Sequence, residues 1–222
     1  MRTVAALIQR RPAMLALRRA VTPRSLRLLS ARSPAHLLSQ LERHCVDLVL
    51  LGSELAGEAF DSELRQRFPS LPTALYGPVR SDDARLLLRA CKEGREVLVE
   101  GVDEPVIAAV LRRSGLTSRR EAELLPMATR LHLTDPLQLR VWAVLVAEAD
   151  QKLDTTRLAG RLGVRRETLS RRFSANGGPS LKAALDATRL AAASQLLASP
   201  GWRVADVARL LGFSSESLLQ RT

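Results

Sequence analysis

Arginines recur along one stretch near the C-terminus: Arg165, Arg166, Arg171 and Arg172, with Glu167 and Ser170 among them. A guanidinium can grip guanine through O6 and N7, or neutralise a phosphate. A glutamate can accept from cytosine N4, and a serine can reach several base edges. A second polar set follows at Ser214, Ser217, Gln220 and Arg221. Both sets carry chemistry suited to double-stranded DNA. Ordinary solvated helix faces are also polar; what distinguishes these two is that they occur in the same frame.

That frame is an internal repeat. Shifting the C-terminal part by 49 residues places Ala159 on Ala208, Leu162 on Leu211, Gly163 on Gly212, Glu167 on Glu216 and Leu169 on Leu218. Val164 falls on Phe213 and Thr168 on Ser217. One supersecondary unit is used twice. In the first copy, Arg157–Leu162 is predicted as a short amphipathic helix, and Gly163 ends it where a left-handed residue is wanted. Val164 plugs the corner, and Arg165–Phe173 forms a second helix that buries Leu169 and Phe173. Two short helices joined by a tight glycine turn make a helix-turn-helix. The second copy runs from Val204 through Gly212 and Phe213 to a helix over Ser214–Thr222. Between the copies a long helix is predicted over Leu181–Leu197. Its stripe of Leu181, Leu185, Thr188, Ala192 and Leu196 can pack against both units.

The motifs resemble the AraC/XylS family of bacterial transcription regulators, over roughly Leu139 to Thr222. They are Leu158-Ala, Leu162-Gly-Val, Thr168-Leu-Ser-Arg-Arg-Phe173, Gly178-Pro-Ser-Leu181, Arg189-Leu-Ala, and Val204 through Ser217 followed by Leu218-Leu-Gln-Arg221. The resemblance implies a bipartite domain whose two recognition helices enter successive major-groove segments about one helical turn (~34 Å) apart. It assigns base reading to Glu167, Ser170 and Arg171 in the first unit, and to Ser217 and Arg221 in the second. The family usually continues with a Phe and a further turn or helix beyond the point matching Thr222, so the expectation is either a chain cut short there or a weakened second unit.

The first 115 residues have another texture. Short β-rich runs at Val4–Ile8, Leu26–Leu29, Val46–Leu51, Thr73–Tyr76 and Val97–Val99 alternate with helical segments at Pro12–Ala20, Pro34–His44, Asp61–Phe68, Asp82–Lys92 and Glu104–Arg113. This alternation predicts a five-stranded parallel sheet covered on both faces. It resembles a response-regulator receiver domain. That resemblance implies an acidic pair after the first strand, a phosphoacceptor Asp ending the third, a Thr or Ser after the fourth and a Lys after the fifth. Here those places hold Gln9-Arg10, Gly52, Gly77 and Glu100-Gly101. The expectation is therefore a pseudo-receiver that takes no phosphoryl group and serves to dimerise or dock partners. Ser53 and Glu54 are the neighbours that could replace the acceptor, and nothing in the sequence supports either.

The expected organisation is a receiver-like α/β domain over 1–115, a helical linker over 116–135 containing one helix at Thr117–Leu131 that Pro126 can kink, and an all-α domain with two helix-turn-helix units over 136–222. Thr134-Asp135-Pro136 supplies a stop and a new helix start.

The 222 residues carry 34 basic and 23 acidic side chains, a net +11 that suits a polyanionic partner. The segment 136–222 is the denser in positive charge, with 13 basic and 7 acidic residues. Only three basic residues are lysines, a bias that a GC-rich genome explains. No apolar run reaches the roughly 18 residues of a membrane span. His36, His44 and His132 lack metal-ligand spacing, and Cys45 and Cys91 are expected as core or near-core residues. Trp142 and Trp202 are expected in the core. At 3 % aromatic content there is no stacking platform for single strands.

These features predict a cytoplasmic, non-enzymatic, sequence-specific double-stranded DNA-binding transcription regulator, without cofactor or metal, reading two adjacent major-groove segments. RNA polymerase is a candidate further partner, and a homodimer through the N-terminal domain is the candidate assembly. The alternative is a protein-interaction module that pairs with a partner regulator and binds DNA weakly. Specific DNA binding by the C-terminal part separates the two.

Overall fold

A computed structural model describes residues 2–22, 26–80 and 83–213. The chain forms two compact units: Met1–Leu116 with Ala198–Trp202, and Thr117–Leu197 with Arg203–Thr222.

In the first unit, strands and helices alternate: β1 (Thr3–Leu7), α1 (Arg11–Ala20), β2 (Arg27–Ala31), α2 (Pro34–Arg43), β3 (Leu48–Gly52), α3 (Ala59–Arg67), β4 (Thr73–Gly77), α4 (Ala84–Lys92), β5 (Glu96–Val99) and α5 (Glu104–Ser114). The strands make one parallel sheet in the order β2-β1-β3-β4-β5. Composition explains the order. The TVAAL of β1 and LVLLG of β3 are buried along their whole length, as strands covered on both faces must be. The edge strand β2 keeps a half-exposed face. Proline in the first turn of α1, α2 and α5 helps set each helix start, since it lacks an N–H that would go unpaired there. Leu17 of α1 and Ile107 and Leu111 of α5 close over Val4, Ala6, Leu48 and Leu50.

The order β2-β1-β3-β4-β5 is the doubly wound, flavodoxin-like order, whose switch point lies between β1 and β3. The receiver-like fold class expected from the alternation is the fold observed. Cys91 is a correction: it is exposed on α4, where the last helical turn faces solvent, and Cys45 is half-buried. Trp202 is buried within the first unit, its ring centroid 5.3 Å from that of Phe68 in an edge-on contact.

The second unit is helical among its described residues: α6 (Leu116–Leu124), α7 (Pro136–Ala147), α8 (Thr155–Leu162), α9 (Arg166–Phe173), α10 (Leu181–Leu197) and α11 (Val204–Leu211). The helix expected to run from Thr117 to Leu131 ends at Leu124, and Leu125–Ala128 tightens into a 3₁₀ turn around Pro126. Trp142, 4 % exposed, donates its indole N–H to Leu124 O at 3.0 Å and ties α7 to this turn. Arg120, 3 % exposed, holds the unit from within. It donates to Val146 O at 2.8 Å and Gln195 Oε1 at 3.0 Å and lies 3.7 Å from Asp150. Burial raises the Asp150 carboxyl above its ordinary range, against the pull of Arg120.

The stripe along α10 is buried as expected: Leu181, Leu185, Thr188, Ala192 and Leu196 are each at most 7 % exposed. The helix packs against α7 and α11, and Leu181 and Leu185 share one core with Leu158, Leu169 and Phe173.

Candidate nucleic-acid interface

The turn from α8 to α9 is built by Gly163 at φ 65°, ψ 29°. Val164 N–H then reaches back to Ala159 O at 3.1 Å, the bond that defines a Schellman cap. Forty-nine residues later the geometry recurs. Gly212 has φ 73°, ψ 35°, and Phe213 N–H donates to Ala208 O at 2.9 Å. As far as Phe213, the repeat read in the sequence is thus a repeat of backbone conformation. Val164 packs against the core beside Leu162, filling the corner.

α9 buries Leu169 and Phe173 completely and turns its other residues outward. Its helix begins at Arg166; Arg165, expected inside it, is the extended N-cap residue. Arg165, Arg166, Glu167, Arg171 and Arg172 are exposed and Ser170 is half-buried. The expected DNA-facing residues of the first unit therefore share the outward side of one short helix and its cap. They differ in what they touch. Arg166 pairs with Glu167 at 3.3 Å, and Arg172 pairs with Asp135 at 3.0 Å. Arg165 and Arg171 have no ion-pair partner among the described residues. Backbone hydrogen bonding at its own position and the Arg166 guanidinium hold Glu167 below the usual carboxylate range, so it stays an acceptor. Ser214, Ser217, Gln220 and Arg221 lie outside the described residues.

Gln138 fixes the far end of α9, a role the sequence reading missed. The side chain is fully buried. Its amide nitrogen donates to Phe173 O at 2.9 Å and Ala175 O at 3.2 Å, capping α9. Its oxygen accepts from the Thr134 and Asp135 N–H groups at 2.9 Å each, closing the capping box of α7. Asp135 accepts from Leu137 N–H and from Arg172, and these bonds, Arg172 first, hold its carboxyl below the ordinary range. The signal was present as Asp135-Pro-Leu-Gln138, a capping-box spacing.

A concavity of about 530 Å³ lies beside α9, lined by Arg166, Glu167 and Ser170 on one side and by Lys182, Asp186 and Arg189 of α10 on the other. Arg189 is engaged, donating to Leu153 O at 2.8 Å and stacking over Phe213. Lys182 has no ion-pair partner among the described residues and adds a cation that the sequence reading did not single out.

At the sheet's C-terminal edge in the first unit, the receiver positions are filled differently. Glu54 Oε1 accepts from Gln9 N–H at 2.8 Å. A Cβ on Gly52 would lie 2.2 Å from that oxygen, so the Glu54 carboxylate occupies the space a side chain at 52 would use. A Cβ on Gly77 would lie 2.1 Å from Ser53 Oγ. Arg10 pairs with Glu100. Tyr76 donates its hydroxyl to Glu104 at 2.5 Å, which with Gly101 N–H holds Glu104 below its ordinary range. Nothing in the residue pattern singled out Glu54 as an occupant of this place; its backbone position in the turn after β3 supplies it. Among the described residues no group of acidic, His or Cys side chains is arranged to hold a metal.

Residues 158–222 match the family described as "Helix-turn-helix domain". No curated protein matches the chain. Among solved structures, full-length FixJ from B. japonicum is 13 % identical, with 96 % of this chain and 98 % of that one covered, at a TM-score of 0.45. RcsB from Salmonella enterica serovar Typhimurium, solved bound to a promoter, is 14 % identical over 83 % of this chain and 96 % of that one, at 0.41. The signal receiver domain of an HD domain-containing protein from Pseudomonas fluorescens is 21 % identical over 51 % and 85 %, at 0.43. The C-terminal segment thus carries a helix-turn-helix domain, and the first unit is receiver-like in its strand order.

Proposed function

We propose that the protein regulates transcription by binding double-stranded DNA through two helix-turn-helix units that read adjacent major-groove segments. One observation carries this reading: the same glycine turn, with the same backbone bond, occurs twice at a spacing of 49 residues. In the first unit Glu167, Ser170 and Arg171 are the base-reading residues, and Arg165, Arg166 and Lys182 meet phosphate. Arg172 positions the helix through Asp135 rather than reading a base. Ser217 and Arg221 read bases in the second unit, with Ser214 and Gln220 beside them. The domains divide at 115 and 135, and the first provides a homodimer contact. RNA polymerase is the downstream partner, met on cytoplasmic DNA. No helix among the described residues is long and apolar enough to cross a membrane.

The test is selection of duplexes from a random pool with the full chain at near-physiological salt. Two enriched boxes about one helical turn apart (~34 Å) support the reading. A single box limits recognition to the first unit. No enrichment overturns it in favour of a protein-interaction module.

A further inference from the structure

Arg95 stands just before β5 with its side chain 4 % exposed. Nη1 is used twice, on Asp61 Oδ2 at 2.9 Å and Glu93 Oε2 at 3.3 Å. Nε and Nη2 are buried and have no hydrogen-bond partner among the described residues. Leaving charged donors unmet in the interior is costly, and such groups are normally matched by protein, water or ligand. Arg95 lines a cavity of about 210 Å³ that it shares with Arg85 and Arg89 of α4. Leu75 and Leu86 form its apolar wall. The acidic member of the lining, Glu93, is already committed to Arg65 at 2.8 Å and to Arg95.

Arg85 and Arg89 have no ion-pair partner among the described residues. Arg89 is nonetheless placed: a Cβ on Gly57 would lie 1.9 Å from Arg89 Nη1, so the guanidinium rests on the bare Cα of a left-handed glycine at φ 82°. Gly57 N–H is in turn held by Asp61 Oδ2 at 2.8 Å. Three arginines thus line one small cavity, one of them buried with unused donors.

We infer that this cavity binds a small organic oxyanion, a carboxylate or a phosphate with a short apolar body. Guanidiniums match either head group with paired, charge-assisted hydrogen bonds. The volume corresponds to roughly seven waters at their liquid volume and lies below the range of drug-sized pockets, so the ligand is a small metabolite rather than a nucleotide. Leu75 and Leu86 cover its carbon atoms. The site belongs to the first unit and does not rest on the DNA-binding reading.

The experiment is thermal unfolding of the full chain titrated with inorganic phosphate, acetate, butyrate or chloride at matched ionic strength. A saturable rise in Tm with phosphate or with a carboxylate, absent with chloride, is expected. Phosphate alone or the carboxylates alone identifies the head group, and butyrate above acetate shows the apolar wall in use. Arg89→Gln, on an exposed position of α4, weakens the apparent affinity by about tenfold, the loss of one charged hydrogen bond. Leu86→Trp fills the cavity without removing charge and abolishes saturation. Arg95 itself is left intact, because its removal strands the buried Asp61. A rise that matches chloride, fails to saturate, or is unchanged in both variants overturns the site.

Discussion

Arg171 and Lys182 present cations with no ion-pair partner among the described residues, yet they sit on different helices and are assigned different work. If Arg171 reads a base, Arg171→Ala costs about 1–3 kcal/mol on the preferred site and relaxes preference at one position. Lys182→Ala instead weakens all sequences alike and lowers the slope of log K against log salt by about one. Binding isotherms on matched and scrambled duplexes at several salt concentrations separate the two. In the first unit, His44 is half-buried after α2, and burial, then Arg27 and Arg43, push its pKa below 6.5. The unfolded chain therefore takes up the proton first. His44 contributes stability that is present above pH 6.5 and is lost as pH falls toward the lowered value. Tm measured from pH 7.5 to 5 should fall for the native chain and fall less for His44→Gln; parallel curves would refute the assignment. Glu54 answers a separate question. With its carboxylate over Gly52, treatment with acetyl phosphate is expected to leave the protein mass unchanged, and a stable phosphoryl adduct would contradict the pseudo-receiver reading.

At the scale of elements, the glycine turns and the Gln138 clasp decide whether α9 is presented correctly. A Cβ on Gly163 meets nothing within 4 Å, so Gly163→Ala carries only the left-handed backbone cost of about 1–2 kcal/mol. Gly212→Ala adds contact with Lys152 Cγ at 3.1 Å, which a flexible side chain can yield. Gln138→Ala should cost more, about 2–3 kcal/mol, because it leaves carbonyls of α9 and the N–H groups before α7 without their buried partner. Denaturant midpoints of the three variants test this ranking. These elements also show what was legible beforehand. Period and punctuation revealed the five strand–helix pairs, because prolines and apolar runs mark local events. The Schellman turns were readable because only a glycine fits there comfortably. The hold of Gln138 on α9 was missed because the carbonyls it caps lie some 35 residues away in sequence, and Glu54 because its meaning depends on a missing side chain two residues earlier. The division of α9's arginines into paired and unpaired was likewise invisible, since Asp135 meets Arg172 only after α7 and α9 pack.

For the whole molecule, the charge of +11 is concentrated more densely after residue 136, and binding to any duplex should fall steeply as salt rises. Within the second unit, Arg120→Ala would remove the ion-pair partner of Asp150 and the donor to the Val146 carbonyl, and is expected to destabilise by about 3 kcal/mol. A two-step unfolding trace with only one step shifted would show that the two units melt separately. The carboxylate resting over Gly52 is the far end of a flexible side chain. A side chain introduced at position 52 would push it off the Gln9 N–H rather than strain the backbone. The end of β3 is thus closed by a plug, seated by that hydrogen bond, that a larger residue at 52 would unseat.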